Sequence, residues 1–255
     1  MSSRPGTPAL IDVTFADLDA SKEFYRGLFG WEYDGSLDPS GTYTYAVDGG
    51  HPIAGLRAAQ PGQPAAWTLY LHSDAAGVTA QGVKDLGGQV VFQNEAPQQG
   101  HVVIAADPTG AFFGAWQPLR DAEFRTGTPG TLAWAELNTR QGSAADEFYR
   151  GLFGYEQRQI GDGVTYDYSV WGHGAAPFLG RLQLPDAVPA EVPPHWTVYF
   201  GVDPASGTDK LVERAVGLGA TLVSEPEDIP AGRKAVLTDV AGAVFAVIDG
   251  SKATR

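Results

Sequence analysis

The chain has no cysteine among its 255 residues, so disulfides, thiolate nucleophiles and zinc–thiolate sites are excluded. It has no apolar run of about 18 residues, so no membrane-spanning helix is expected and a membrane is not an expected partner. The opening MSSRPGTPAL lacks the apolar core of a signal peptide, which gives the expectation of a cytoplasmic protein. Basic residues are scarce: 17 Lys and Arg against 30 Asp and Glu leave a net charge of −13. Phosphate contacts need a basic face, so nucleic acid is not an expected partner either. GxGxxG, Walker and GxSxG motifs are missing, which removes support for nucleotide binding and serine hydrolysis. The five histidines, His51, His72, His101, His173 and His195, form no HxH or HExxH spacing.

What is present describes a folded protein. Hydrophobic residues make up 43% and aromatics 11%, and the length allows two domains with a core each. The acidity suits a cationic small molecule approaching an acidic cleft; the alternative is that it only keeps the chain in solution.

The strongest pattern is a repeat. Residues 23–30 read EFYRGLFG, and the same eight letters return at residues 147–154, an offset of 124. Further matches follow in order. Thr42-Tyr43-Thr44-Tyr45 is answered by Thr165-Tyr166-Asp167-Tyr168, and Trp67-Thr68-Leu69-Tyr70 by Trp196-Thr197-Val198-Tyr199. Near the end Asp107-Pro108-Thr109-Gly110-Ala111 is answered by Asp239-Val240-Ala241-Gly242-Ala243. The chain reads as one domain written twice, with small insertions absorbed by loops of the second copy.

Periodicity then assigns elements. Residues 8–16 alternate as a strand with Leu10, Asp12 and Thr14 on one face. Asp19 or Ser21 is expected to cap a helix reaching Phe29, with Gly30 as its stop and Phe24, Tyr25 and Leu28 as its core stripe. Strands over 43–47 and 53–58, a connector over 59–65, a strand from Trp67 to His72, a helix over 75–86 and three further strands complete the first half. Each half therefore contains two βαβββ units. The second half repeats the order, with strands near 164–171 and 178–184 and a proline-rich connector over 185–194. The domains are expected at 1–120 and 131–255, joined by a polar linker over 121–130.

Asp17-Leu18-Asp19-Ala20-Ser21, Phe24-Tyr25, Leu28-Phe29-Gly30-Trp31 and the turn Asp107-Pro108-Thr109-Gly110 together resemble the vicinal oxygen chelate superfamily of glyoxalases, bleomycin-resistance proteins and extradiol dioxygenases. The second copy matches more loosely at residues 141–154 and 239–242. The resemblance is strongest to tandem two-domain actinobacterial, hydroxylase-like members. It implies an α+β fold: a tandem duplication in which each half pairs two βαβββ units into an open, cup-shaped sheet. Metal-dependent members take ligands from the first strand, from the strand opening the next unit and from the last strand. Counting from the motifs puts those positions at Leu10, Trp67 and Gly114, then at Trp134, Trp196 and Ala246. None of these side chains holds a metal, so no cofactor is expected.

The residues at and around these positions point to a binding cup. Trp67, Trp116, Trp134 and Trp196 offer flat apolar faces for planar or cationic ligands. Asp12 and Glu136 stand two residues beyond the first-strand positions and supply charge. Tyr45 and Tyr168 are candidates to line the cup, and the small residues Gly114 and Ala246 are expected to leave room for a ligand next to themselves. These features lead to metal-free binding, in the manner of sequestering resistance proteins, of a small aromatic or cationic molecule. The alternatives are a lyase, isomerase or oxygenase with Asp12 or Glu136 as general base, and a protein whose tryptophans simply fill the cups. Two halves in one chain already supply the unit pairing, so a monomer or weak homodimer is expected.

Overall fold

A computed structural model describes residues 4–35, 41, 43–60, 62–96, 100–119 and 124–254. Residues 1–3 of the N-terminal stretch, Thr42 of the tyrosine repeat and residues 120–123 of the linker region lie outside the described residues. The first half runs β1 (Pro8–Phe15), α1 (Leu18–Phe29), β2 (Glu32–Asp34), β3 (Tyr43–Asp48), β4 (His51–Ala58), β5 (Trp67–His72), α2 (Ala76–Asp85), β6 (Gln89–Ala96), β7 (Gly100–Ala106) and β8 (Phe112–Pro118). The second runs β9 (Leu132–Thr139), α3 (Gly142–Phe153), β10 (Glu156–Gln159), β11 (Tyr168–His173), β12 (Ala176–Gln183), β13 (His195–Gly201), α4 (Thr208–Gly217), β14 (Thr221–Ile229), β15 (Gly232–Thr238) and β16 (Val244–Asp249). No helix among the described residues is long and apolar enough to cross a membrane.

The strands form two open eight-stranded sheets of identical topology, ordered β2-β3-β4-β1-β5-β8-β7-β6 and β10-β11-β12-β9-β13-β16-β15-β14. Strands β1 and β4 run parallel, as do β9 and β12, while the hairpins β3–β4 and β11–β12 are antiparallel. The fold is therefore the expected α+β tandem.

Local departures have local causes. Strands β2 and β10 are short and polar and carry no alternation to read, but they pair along β3 and β11. The cap of α1 is Asp17, whose Oδ1 accepts from Ala20 N at 2.9 Å, because a capping side chain must reach an amide three residues on. The strand expected near 164–171 begins only at Tyr168. Before it, Asp162 Oδ1 accepts from the amides of Val164, Thr165 and Tyr166 at 2.8–3.0 Å and winds the segment into a turn.

By contacts the chain divides into two compact units, each holding material from both halves. One comprises Met1–Leu10, Thr68–Ala122 and Ala135–Trp196; the other comprises Ile11–Trp67, Glu123–Trp134 and Thr197–Arg255. The repeated octapeptide sits at the heart of each. In the second unit Tyr25 of α1 is fully buried and stacks on Trp31 at 4.8 Å, with Trp67 edge-on at 5.7 Å. Its hydroxyl donates to Asp239 Oδ2 at 2.7 Å. In the first unit Tyr149 of α3 meets Trp171 at 5.0 Å and donates to Asp107 Oδ2 at 3.1 Å. The octapeptide glycines are equally specific. Gly30 and Gly154 end their helices at φ 78° and 70°, in the left-handed region glycine enters without penalty. Inside the helices Gly27 faces Leu218 and Gly151 faces Leu86, where an added Cβ would lie 2.9 and 3.0 Å from leucine methyls. The octapeptide is thus a packing device.

Candidate functional site

Strand alternation sorts the side chains of each sheet between the helices and the opposite face. On β1, Ile11, Val13 and Phe15 are wholly buried, and Phe15 approaches Tyr25 of α1 at 6.1 Å between ring centroids. Leu10, Asp12 and Thr14 therefore take the face turned from the helices.

On that face the second unit holds a polar cluster. Asp12 lies beside Gly55 of β4, which in turn lies beside Tyr45 of β3; one residue pair along, Thr14, Arg57 and Tyr43 form the next row. The Asp12 carboxylate is buried, and its Oδ2 accepts from Arg57 Nη2 at 2.7 Å. The pair is lopsided: the arginine side chain is 47% exposed and the aspartate side chain 4%. The guanidinium carbon stands 5.6 Å from the centroid of Tyr43, whose ring meets that of Tyr45 edge-on at 5.1 Å. Gly55 makes this possible, since a Cβ there would fall 1.9 Å from the Tyr43 hydroxyl oxygen. Burial pushes the Tyr45 hydroxyl pKa upward, against a hydrogen bond with Tyr43.

The second half repeats the arrangement with different chemistry. Glu136 lies beside Gly180, and Asn138 beside Leu182, which also pairs with Tyr168. Tyr168 is thus the structural counterpart of Tyr43, and Val170 that of Tyr45. The Asp162 turn shifts the register by two from the sequence match. Glu136 is buried, and its charge, after burial itself, helps raise the half-exposed Tyr166 hydroxyl. Tyr166 and Tyr168 stack at 5.6 Å with 4° between their planes. Trp134, half-buried, shares the Glu136 face of β9.

Of the remaining candidates, Trp116 lies on the same face of β8 as Gly114; Trp116 pairs with His72 of β5 and Gly114 with Tyr70. The space next to Gly114 is taken by Tyr70, whose Cδ1 would stand 2.1 Å from an added Cβ. Ala246 is fully buried beside Tyr199. Trp67 and Trp196 are corrected by the structure: they point to the helices. Trp67 packs on Tyr25, Trp31 and Phe200, and its Nε1 is buried with no hydrogen-bond partner among the described residues. Trp196 packs on Tyr149 and Trp171, and its Nε1 donates to the Tyr149 hydroxyl at 3.2 Å. Counting placed them one residue out of phase, and their neighbours Thr68 and Thr197 occupy the other face instead.

A divalent metal does not fit this donor set. Among the described residues no group of three or more His, Asp or Glu side chains could hold one. Asp12 is committed to Arg57. His72 pairs with Asp74 at 3.0 Å, and His173 and His195 contact the carbonyls of Pro5 and Pro193 at 2.8 Å.

A network that sequence reading missed lies on the helix side of the second half. Arg181 is buried between Asp146 of α3 and Asp167, at 2.7 Å from each. Trp171 Nε1 and Gln157 Nε2 also donate to Asp146, at 2.9 and 2.8 Å. Its only sequence signal is a lone charge in the apolar run of β12.

Two open sheets, each assembled from two βαβββ units in one chain, define a duplicated glyoxalase-like protein. The chain belongs to the Glyoxalase-like domain family, which matches residues 9–115 and 134–248. It is 37% identical to the anthracycline biosynthesis protein DnrV of Streptomyces peucetius, over 96% of this chain and 94% of that one. It is 35% identical to CFP32 of Mycobacterium tuberculosis, whose name assigns it provisionally to the glyoxylases, over 96% and 95%. In fold it is similar to the Mn(II)-bound glyoxalase of Novosphingobium aromaticivorans, with a TM-score of 0.68 at 16% identity over 99% of this chain and 86% of that one.

Proposed function

We propose that this protein binds a small, flat aromatic molecule without a metal, on the sheet faces turned from its helices. The observation that carries the reading is the Asp12–Arg57–Tyr43–Tyr45 cluster. It sets a fixed charge pair against two aromatic rings, the mix of apolar surface and few polar groups that small-molecule sites use. The lack of a ligating triad among the described residues supports the metal-free part. The name of DnrV adds chemical direction, since anthracyclines are fused-ring aromatic compounds. In the second half, Trp134, Glu136 and Tyr168 are the corresponding candidates, with Trp116 a further aromatic surface.

A second reading, catalysis on such a molecule, is favoured by Glu136. It is a buried carboxylate on the matching face of the second sheet, the kind of group that serves as a general base.

The test is calorimetric titration with a hydroxyanthraquinone after chelation, and again after loading with Mn(II) or Fe(II) and desalting. The expected result is stoichiometric binding, equal in both preparations, with the compound recovered unchanged by chromatography. Near-stoichiometric metal retention would overturn the metal-free part. Conversion of the compound that is lost in Glu136→Gln would establish the second reading in place of the first.

A further inference from the structure

We infer that Arg57 reads an anionic or strongly polarised oxygen on the ligand, so that the first-half site selects acidic aromatic molecules over amines. The inference rests on the binding reading above and narrows its ligand class. It follows from the orientation of one ion pair. The carboxylate of Asp12 is the buried end and the guanidinium of Arg57 the solvent-facing end, with side-chain exposures of 4% and 47%. A molecule arriving at this face meets positive charge first, although the whole protein carries −13. An ammonium ligand could reach Asp12 only by displacing Arg57, leaving a buried carboxylate to exchange one partner for another. A phenolate, carboxylate or quinone oxygen leaves the Asp12–Arg57 pair in place. Guanidinium N–H groups form charge-assisted bonds to that oxygen, and a planar ring adds to the aromatic surface that Tyr43 sets 5.6 Å from the guanidinium carbon.

The second half shows that the sheet does not itself require this arginine. At the matched position, opposite Asn138 and Tyr168, the residue is Leu182. Here the acidic residue Glu136 recurs beside Gly180 as Asp12 does beside Gly55, while the position matched to Arg57 carries no charge. Asp12 fixes the guanidinium from behind, and Gly55 lets Tyr43 lie across the row to flank it.

The experiment uses three probes of one shape on the full chain: naphthoate, naphthylmethanol and naphthylmethylammonium, each titrated by calorimetry. Wild-type protein should bind naphthoate at least about tenfold more tightly than either other probe. Arg57→Gln should bring naphthoate to the level of naphthylmethanol, and Arg57→Lys should restore part of the difference. Because Arg57→Gln strands a buried carboxylate, Asp12→Asn/Arg57→Gln is measured beside it and should lose the preference equally. Equal binding of all three probes, tighter binding of the ammonium, or a preference that survives both variants would overturn the inference while leaving aromatic binding intact. Binding of none of the probes, together with failure of the hydroxyanthraquinone titration, would overturn both.

Discussion

Tyr25 donates its hydroxyl proton to Asp239, 214 positions later in the chain, across 2.7 Å. Tyr149 repeats the bond to Asp107 at 3.1 Å. Each aspartate also holds its own turn: Asp107 Oδ1 accepts from the amides of Thr109 and Ala111, and Asp239 Oδ1 from those of Ala241 and Ala243. One carboxylate oxygen therefore shapes a turn while the other receives a helix from the opposite half of the sequence. This explains why the tyrosine of the octapeptide and the aspartate of the closing turn are both repeated.

The first prediction concerns Tyr25→Phe. It removes a bond to a charged group and leaves the ring in place, so the expected loss is about 1.5–3 kcal/mol in chemical denaturation at neutral pH. The loss should depend on pH with a definite sign. Burial raises the Asp239 carboxyl above its ordinary range, and the Tyr25 bond works against that rise. Without the bond the carboxyl rises further, so the variant pays most where Asp239 is charged. The difference from wild type should be full at neutral pH and shrink as pH falls towards about 4. A difference that is flat with pH, or that grows on acidification, would contradict this account.

The second prediction concerns Arg181. Its guanidinium is 3% exposed between Asp146 and Asp167, and removing one partner of such a buried group costs about 3–5 kcal/mol. Arg181→Leu should lose stability in that range. Asp146→Ala/Arg181→Leu should lose clearly less than the two single changes added together, as expected of contacting partners. Although burial acts upward on Asp167, bonds from Gln159 and Arg181 outweigh it and hold its carboxyl below the usual range. Stability from this source is present above about pH 4 and is lost as pH falls through the lowered pKa. The acid limb of the stability curve should therefore flatten in Arg181→Leu, and an unchanged limb would remove Asp167 from the argument.

These contrasts show where sequence was informative. The fold was legible because a duplicated octapeptide, glycine stops and strand alternation are local signals that agree with one another. The shared parity of Asp12 with Leu10 and of Glu136 with Trp134 was legible because it was read within one strand, where alternation is fixed. Trp67 and Trp196 were misplaced because their positions were counted from a motif rather than from their own strand. The alternation was there to be read: Trp67, Leu69 and Leu71 form the apolar parity, and Thr68, Tyr70 and His72 the mixed one. Arg57 and Arg181 were missed for a different reason. Each is a single charge in an apolar strand, and only the fold shows that one faces solvent and the other a buried aspartate.

The third prediction compares two glycines that do the same job in different surroundings. An alanine Cβ at Gly55 would fall 1.9 Å from the Tyr43 hydroxyl oxygen, and one at Gly114 would fall 2.1 Å from Tyr70 Cδ1. Both distances force the tyrosine to move. Tyr43 is only half-buried, and the conflict is with the far end of its side chain, so it can swing outward at modest cost. Tyr70 is buried and meets the new methyl along the edge of its ring. Overpacking of a filled site costs about 1–3 kcal/mol. Gly114→Ala should reach or exceed the upper end, whereas Gly55→Ala should fall near the lower end in denaturant titrations. The functional effect should run the other way, since displacing Tyr43 removes the ring against which Arg57 lies. Gly55→Ala should therefore weaken naphthoate binding in a protein of nearly normal stability. If Gly55→Ala instead costs as much stability as Gly114→Ala and leaves naphthoate binding untouched, Tyr43 is a packing residue and the ligand does not use its ring.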